Sequence, residues 1–110
     1  MVLIRGDTGA FKFQRLDQSG APIVTTPDAI YFTVKKSYTN QEEVFQKDLS
    51  DMSFSNEDNS WHFIIQPSDT SSLDYGSYVY DLEVTENDYV QTIAKGKLII
   101  DEESTWVANK

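Results

Sequence analysis

Hydrophobic and polar residues alternate along most of this chain. Phe11 and Phe13 alternate with Lys12 and Gln14, and Ile30, Phe32 and Val34 with Tyr31, Thr33 and Lys35. Phe45 and Leu49 flank Lys47 on one face, opposite Gln46 and Asp48. Trp61, Phe63 and Ile65 alternate with His62 and Ile64; Tyr78, Tyr80, Leu82 and Val84 share a face; Leu98 and Ile100 close the last run. Successive side chains of a strand point to opposite sides, so this period of two predicts half-buried strands. The same runs concentrate β-branched and aromatic residues, which suit a pleated surface.

Turn chemistry separates the runs. Asp17-Gln18-Ser19-Gly20 predicts a turn closed by glycine, and Thr26-Pro27-Asp28 a break before the Ile30 strand. Asn56 to Ser60 forms a polar loop before Trp61, and Glu86-Asn87-Asp88 a short hairpin loop. Pro67 to Ser72 offers caps without an apolar stripe and predicts one helical turn. About seven strands at roughly ten-residue spacing predict an all-β, immunoglobulin-like antiparallel β-sandwich. Residues 1–101 make up this sandwich and residues 102–110 a C-terminal tail, polar apart from Trp106 and Val107. The tail reads as a linker, a fraying end or an arm ordered by a partner. The expected core comprises Phe13, Ile30, Phe32, Val34, Trp61, Phe63, Tyr80, Leu82, Leu98 and Ile100.

The stretch Pro67 to Val84 is the strongest fold signal. A polar turn leads through Leu73 and Gly76 into a tyrosine-rich strand. In immunoglobulin-like sandwiches such a segment crosses between sheets, and a tyrosine in it hydrogen-bonds back to upstream backbone. Gly96, inside the last strand, predicts a bulge or a close backbone approach.

Composition narrows the partners. The chain has 110 residues, enough for a single core. It contains no cysteine, so disulfides and thiolate metal sites are excluded. The formal net charge is −9, which repels phosphate backbones and anionic membranes. No run of apolar residues reaches the length of a membrane-spanning helix. The start, Met1 to Asp7, lacks a basic region before its short apolar run and does not read as a secretory signal. With Met1 as the natural start, synthesis is cytosolic.

No residue is assigned a catalytic, cofactor-binding or metal-binding role, and no cofactor is expected. Arg5-Gly6-Asp7 matches an adhesion tripeptide but reads as a turn between the first two strands. His62, the single histidine, has no evident nucleophile or metal-ligand partner along the chain and reads as a surface or satisfied residue. The acidic pairs Glu42-Glu43, Glu57-Asp58 and Glu102-Glu103 do not follow the spacing of a calcium loop. Tyr31, Tyr75, Tyr89 and Trp106 are candidates for a sugar-stacking platform. Carbohydrate binding or cell-surface adhesion is thus the alternative to a protein-contact function.

Four segments in order carry a family resemblance. They are Arg5-Gly6-Asp7-Thr8 with Phe11-x-Phe13; Ile30-Tyr31-Phe32-Thr33-Val34-Lys35-Lys36; Pro67-x-Asp69-Thr70 with Leu73-x-x-Gly76-x-Tyr78-x-Tyr80-Asp81-Leu82; and Lys95-Gly96-Lys97-Leu98-Ile99-Ile100. Together they resemble small immunoglobulin-like structural proteins of tailed phages and prophages, such as the N-terminal domain of baseplate upper proteins. The resemblance implies a non-enzymatic virion module of tail, baseplate or neck, made in the bacterial host cytoplasm. It also implies contacts with other phage structural proteins, homo-oligomerisation, and no nucleic-acid or membrane partner. Baseplate upper proteins continue into a long extension, whereas this sequence ends at Lys110, so a stand-alone tail, neck or head-decoration role fits the resemblance equally. Met1–Asp7 and Glu102–Lys110 are the expected contact regions.

Overall fold

A computed structural model describes residues 2–39 and 42–102. Eight strands lie within them: β1 (Val2–Ile4), β2 (Gly9–Phe13), β3 (Ala29–Lys35), β4 (Glu43–Asp48), β5 (Ser53–Ser55), β6 (Ser60–Ile65), β7 (Gly76–Glu86) and β8 (Tyr89–Asp101). The one helical turn among the described residues, α1 (Pro67–Thr70), sits where Pro67 and the caps predict it, and a single 3₁₀ turn covers Leu49–Asp51. The strands form a five-stranded sheet ordered β1-β8-β7-β3-β4 and a three-stranded sheet ordered β2-β6-β5. This is an all-β sandwich. Its central strands β3-β7-β8 and β2-β6-β5 occupy the places of C-F-G and B-E-D in the immunoglobulin arrangement.

One pairing departs from the expected antiparallel pattern. β1 runs parallel to β8, with Leu3 opposite Ile100. β1 and β2 belong to different sheets, so no hairpin dictates the direction of β1. The turn at Arg5–Asp7, with Gly6 at φ 83°, carries the chain from one sheet to the other. Its closing bond runs from the Asp7 N–H to the Ile4 carbonyl at 3.1 Å. Parallel placement buries Leu3, a core residue that a three-residue strand is too short to reveal by periodicity.

The register confirms the predicted faces. Ile30, Phe32 and Val34 lie opposite Val84, Leu82 and Tyr80, and Phe11 and Phe13 lie opposite Phe63 and Trp61. Phe32 of the wide sheet meets Phe63 of the narrow one at 5.0 Å between ring centroids, and Tyr80 packs on Phe32 at 5.6 Å. The buried core is Leu3, Ile30, Phe32, Val34, Trp61, Phe63, Ile65, Tyr78, Leu82, Val84, Leu98 and Ile100. Phe13 and Tyr80, expected inside, are only half-buried and pack against the core from its rim. The Asn87-Asp88 hairpin has both residues at positive φ (53° and 65°), as a two-residue primed turn between right-twisting strands requires.

Tyr78 supplies the predicted backbone anchor. Its hydroxyl donates to the Asp74 carbonyl at 2.8 Å while its ring is buried in the core. Gly76, at φ 137°, holds a conformation that L side chains rarely adopt, which lets β7 start immediately after the corner. The bulge, however, is not at Gly96. The β7–β8 register slips between Leu82 and Glu83, leaving Ile93 as the extra residue. Gly96 instead lies under the Tyr80 ring, where a Cβ would stand 3.1 Å from both the ring edge and the hydroxyl. The close approach is therefore of a side chain rather than of another backbone.

Phe32→Ala is expected to lower stability by about 3–5 kcal/mol, the range for truncating a large core aromatic. Urea unfolding reads this, and a loss below about 1 kcal/mol would place Phe32 outside the shared core. Tyr78→Phe removes one hydroxyl and no ring, and is expected to cost about 0.5–1.5 kcal/mol in the same assay.

Candidate functional site

The residues singled out for chemistry are engaged mostly with one another. Arg5 lies with its guanidinium 4.2 Å from the centre of the Tyr75 ring. It donates to the Tyr75 hydroxyl at 2.8 Å and to the Leu73 carbonyl at 3.2 Å. The Gly6 N–H donates to Thr70 Oγ1 at 3.0 Å. The Arg5-Gly6-Asp7 turn is thus a clamp that ties the start of the chain to the α1–β7 corner.

His62 has a partner that the linear reading missed. Ser60, two residues earlier on the same strand face, places Oγ 2.9 Å from His62 Nε2 and 2.5 Å from Asp58 Oδ1. The hydroxyl has one proton, and the short bond to Asp58 takes it, so Nε2–H of His62 donates to Ser60. An activated serine has the opposite polarity, with imidazole accepting the hydroxyl proton. Asp58 also accepts from the Ser60 N–H at 3.2 Å, closing the β5–β6 turn, and Lys12 Nζ lies 3.5 Å from its other oxygen. The Ser60 hydroxyl, with His62 and Lys12 adding to it, holds the Asp58 carboxyl down to about 2 against desolvation. Asp17 and Asp48 are lowered by the same device, with the Ser19 and Ser50 hydroxyls as the largest cause in each. Three Asp-x-Ser turns thus use one local chemistry.

The aromatic candidates do not share a platform. Tyr31 lies on the outer face of the wide sheet, paired across from Glu83 and Asp48. Tyr75 precedes β7 and Tyr89 begins β8 at the far end of the same hairpin, about 35 Å apart along β7. Trp106 lies outside the described residues. Among the described residues no three carboxylate or histidine side chains converge as metal ligands. Val2 of the expected N-terminal contact region is exposed, but Leu3 is committed to the core. Of the second region, only Glu102 is described.

One flank of the sandwich presents a groove with partly exposed apolar walls. There the edge of β2 and the loop after it face the edge of β8. A groove of about 390 Å³ lies between them, walled by Phe13, Leu16 and Ile23 on one side and by Ile93 and Ala94 on the other, with Leu82 on its floor. Leu16 and Val24 of the loop and Tyr89 and Val90 of β8 remain largely exposed. Arg15 pins the loop. Its side chain is buried, bonded to Glu86 Oε1 at 3.1 Å and to the Thr25 carbonyl at 3.1 Å. Beside the groove, β1 covers only Ile99–Asp101 of β8. Among the described residues no strand pairs with β8 from Tyr89 to Leu98 on the side away from β7. Alternation does not reveal this site, because it depends on which strand ends lie side by side. The one signal in the sequence is the bare apolar pair Leu16 and Val24 around the Gly20 turn.

No protein-family model matches this chain, and a search of curated proteins returns no relative.

Asp58 gives a pH prediction. Its carboxyl is depressed in the folded chain, so its contribution is complete above the ordinary carboxylate pKa near 3.8 and is lost as pH falls toward about 2. Asp58→Asn is expected to flatten the decline of thermal midpoint between pH 4 and pH 2 relative to the parent chain, and parallel curves over that interval would contradict it.

Proposed function

We propose that this chain is a non-enzymatic structural module of a phage or prophage particle, acting through protein–protein contact. The observation that carries the reading is the open flank, where an unpaired strand edge lies beside exposed apolar side chains. An edge of this kind offers a row of backbone donors and acceptors to an incoming strand. Exposed apolar groups beside it add the non-directional part of a contact. The resemblance of the four ordered segments to immunoglobulin-like phage proteins supplies the particle. The net charge of −9 fits partners that are proteins rather than nucleic acid.

The polar clusters support the same reading from the other side. Arg5, Asp58, Ser60 and His62 stabilise turns and corners, and their hydrogen bonds are spent within the fold. The scaffold is fixed by these local closures, and the flank is left as the surface available to a partner.

Purified particles from a host carrying the gene test this directly. Quantitative mass spectrometry is expected to find the chain at a fixed copy number relative to the major tail or capsid protein. Its absence from intact particles, with the chain present in the lysate, would overturn the proposal.

A further inference from the structure

The flank has the shape of a strand site, and the chain carries a segment suited to it. β8 contributes Lys95 and Lys97 and no carboxylate between Tyr89 and Ile100. This is a locally basic strand in a chain with twice as many acidic as basic residues. The tail that follows reads Glu102-Glu103-Ser104-Thr105-Trp106-Val107-Ala108. It pairs an acidic start with the only large apolar group outside the sandwich, and residues 103–110 lie outside the described residues. Acidic beside basic and indole beside Leu16, Ile23 and Ile93 make the tail and the flank complementary in both charge and hydrophobicity.

Chain length decides between a tail's own flank and that of another copy. Trp106 is four residues past Glu102, so the backbone between them spans at most about 14 Å. Ile93 lies nine residues before Glu102 on an extended strand, about 30 Å away. β1 moreover occupies the edge of β8 at Ile99–Asp101, next to the point where the tail departs. The tail therefore cannot lay its tryptophan in its own groove, whereas the tail of a second copy meets no such limit.

We propose that the segment Glu103–Ala108 of one copy binds as an added strand along the open β8 edge of a second copy, with Trp106 in the groove between β8 and the Leu16–Ile23 loop. An antiparallel lay with Trp106 on the groove side puts Glu103 on the opposite face, the one that carries Lys95 and Lys97. Backbone bonds to the edge supply register-independent affinity, and the indole supplies the anchor. The inference rests on the protein-contact reading only in using the same flank. It concerns self-association, which is measured without any particle.

Sedimentation velocity of the purified full chain, loaded from about 1 to 100 µM, spans the range in which a micromolar contact passes from monomer to dimer or larger species. Truncation after Glu102 is expected to leave a monomer throughout. Trp106→Ala and Leu16→Glu should each weaken association about tenfold or more, as loss of an aromatic anchor or its pocket does. Leu16 is exposed, so its variant retains the fold, and circular dichroism with a urea melt verifies this. Tryptophan emission gives an independent readout. Trp61 is buried already and supplies a constant background, while Trp106 emission should shift to the blue as concentration rises. A chain that stays monomeric at the highest loading, or a dimer indifferent to truncation, overturns the proposal. So does a blue shift independent of concentration, which would mean docking within one copy. Failure here with the chain still found in particles would leave the structural-module reading standing.

Discussion

The constraint on which this structure depends is the unequal width of its two sheets. Five strands face three. The middle of the stack is covered on both sides, and Phe32 against Phe63 forms the seam. At each flank, however, the inner face of the wide sheet extends beyond the narrow one. Its apolar side chains must be covered by something other than a strand, or remain accessible.

The two flanks resolve this differently. On the β4 side, Lys47 points to the inner face beside Phe45 and reaches Asp69 of α1 at 2.7 Å. Its side chain is only 13% exposed, so its methylenes cover the gap while its ammonium closes the salt bridge. Asp69 is held in turn by the Gln66 N–H at 2.7 Å, which makes α1 a lid rather than a mere connection. An inward-facing charge at a sheet border also discourages pairing with another chain. On the β8 side, among the described residues, no charged side chain of β8 itself stands on the inner face. Arg15 folds back to Glu86 and holds its own loop, and the groove stays open. One flank is thus guarded and the other is available.

The local polar devices serve this layout. The Arg5 clamp lets β1 leave the wide sheet and β2 enter the narrow one within four intervening residues. The Tyr78 hydroxyl fixes the corner from which the longest hairpin rises. Asp17, Asp48 and Asp58 each gather a serine hydroxyl two residues on, closing turns with bonds that need no tertiary partner. Such closures set where strands begin, which in turn sets how far each edge is covered.

Much of the sandwich was legible in the chain. Period-two alternation determined the faces of β2, β3, β6 and β7, because a strand has only two sides and one must be buried. Turn residues determined the hairpin at Asn87-Asp88 and the corner at Tyr78, because their backbone needs are local. Tertiary structure alone decided the rest. Leu3 entered the core only because β1 found β8 across the whole length of the chain, and three residues carry no readable period. Ile93 rather than Gly96 became the bulge, since the slip is a property of two strands in register and Gly96 was needed to seat the Tyr80 ring. Ser60 met His62 because alternate residues of one strand share a face, and the short bond to Asp58 then set the direction of the proton. The open flank is the clearest case: it is the space left where β1 stops short and β2 stands apart, and a gap between non-adjacent segments leaves no mark on either one.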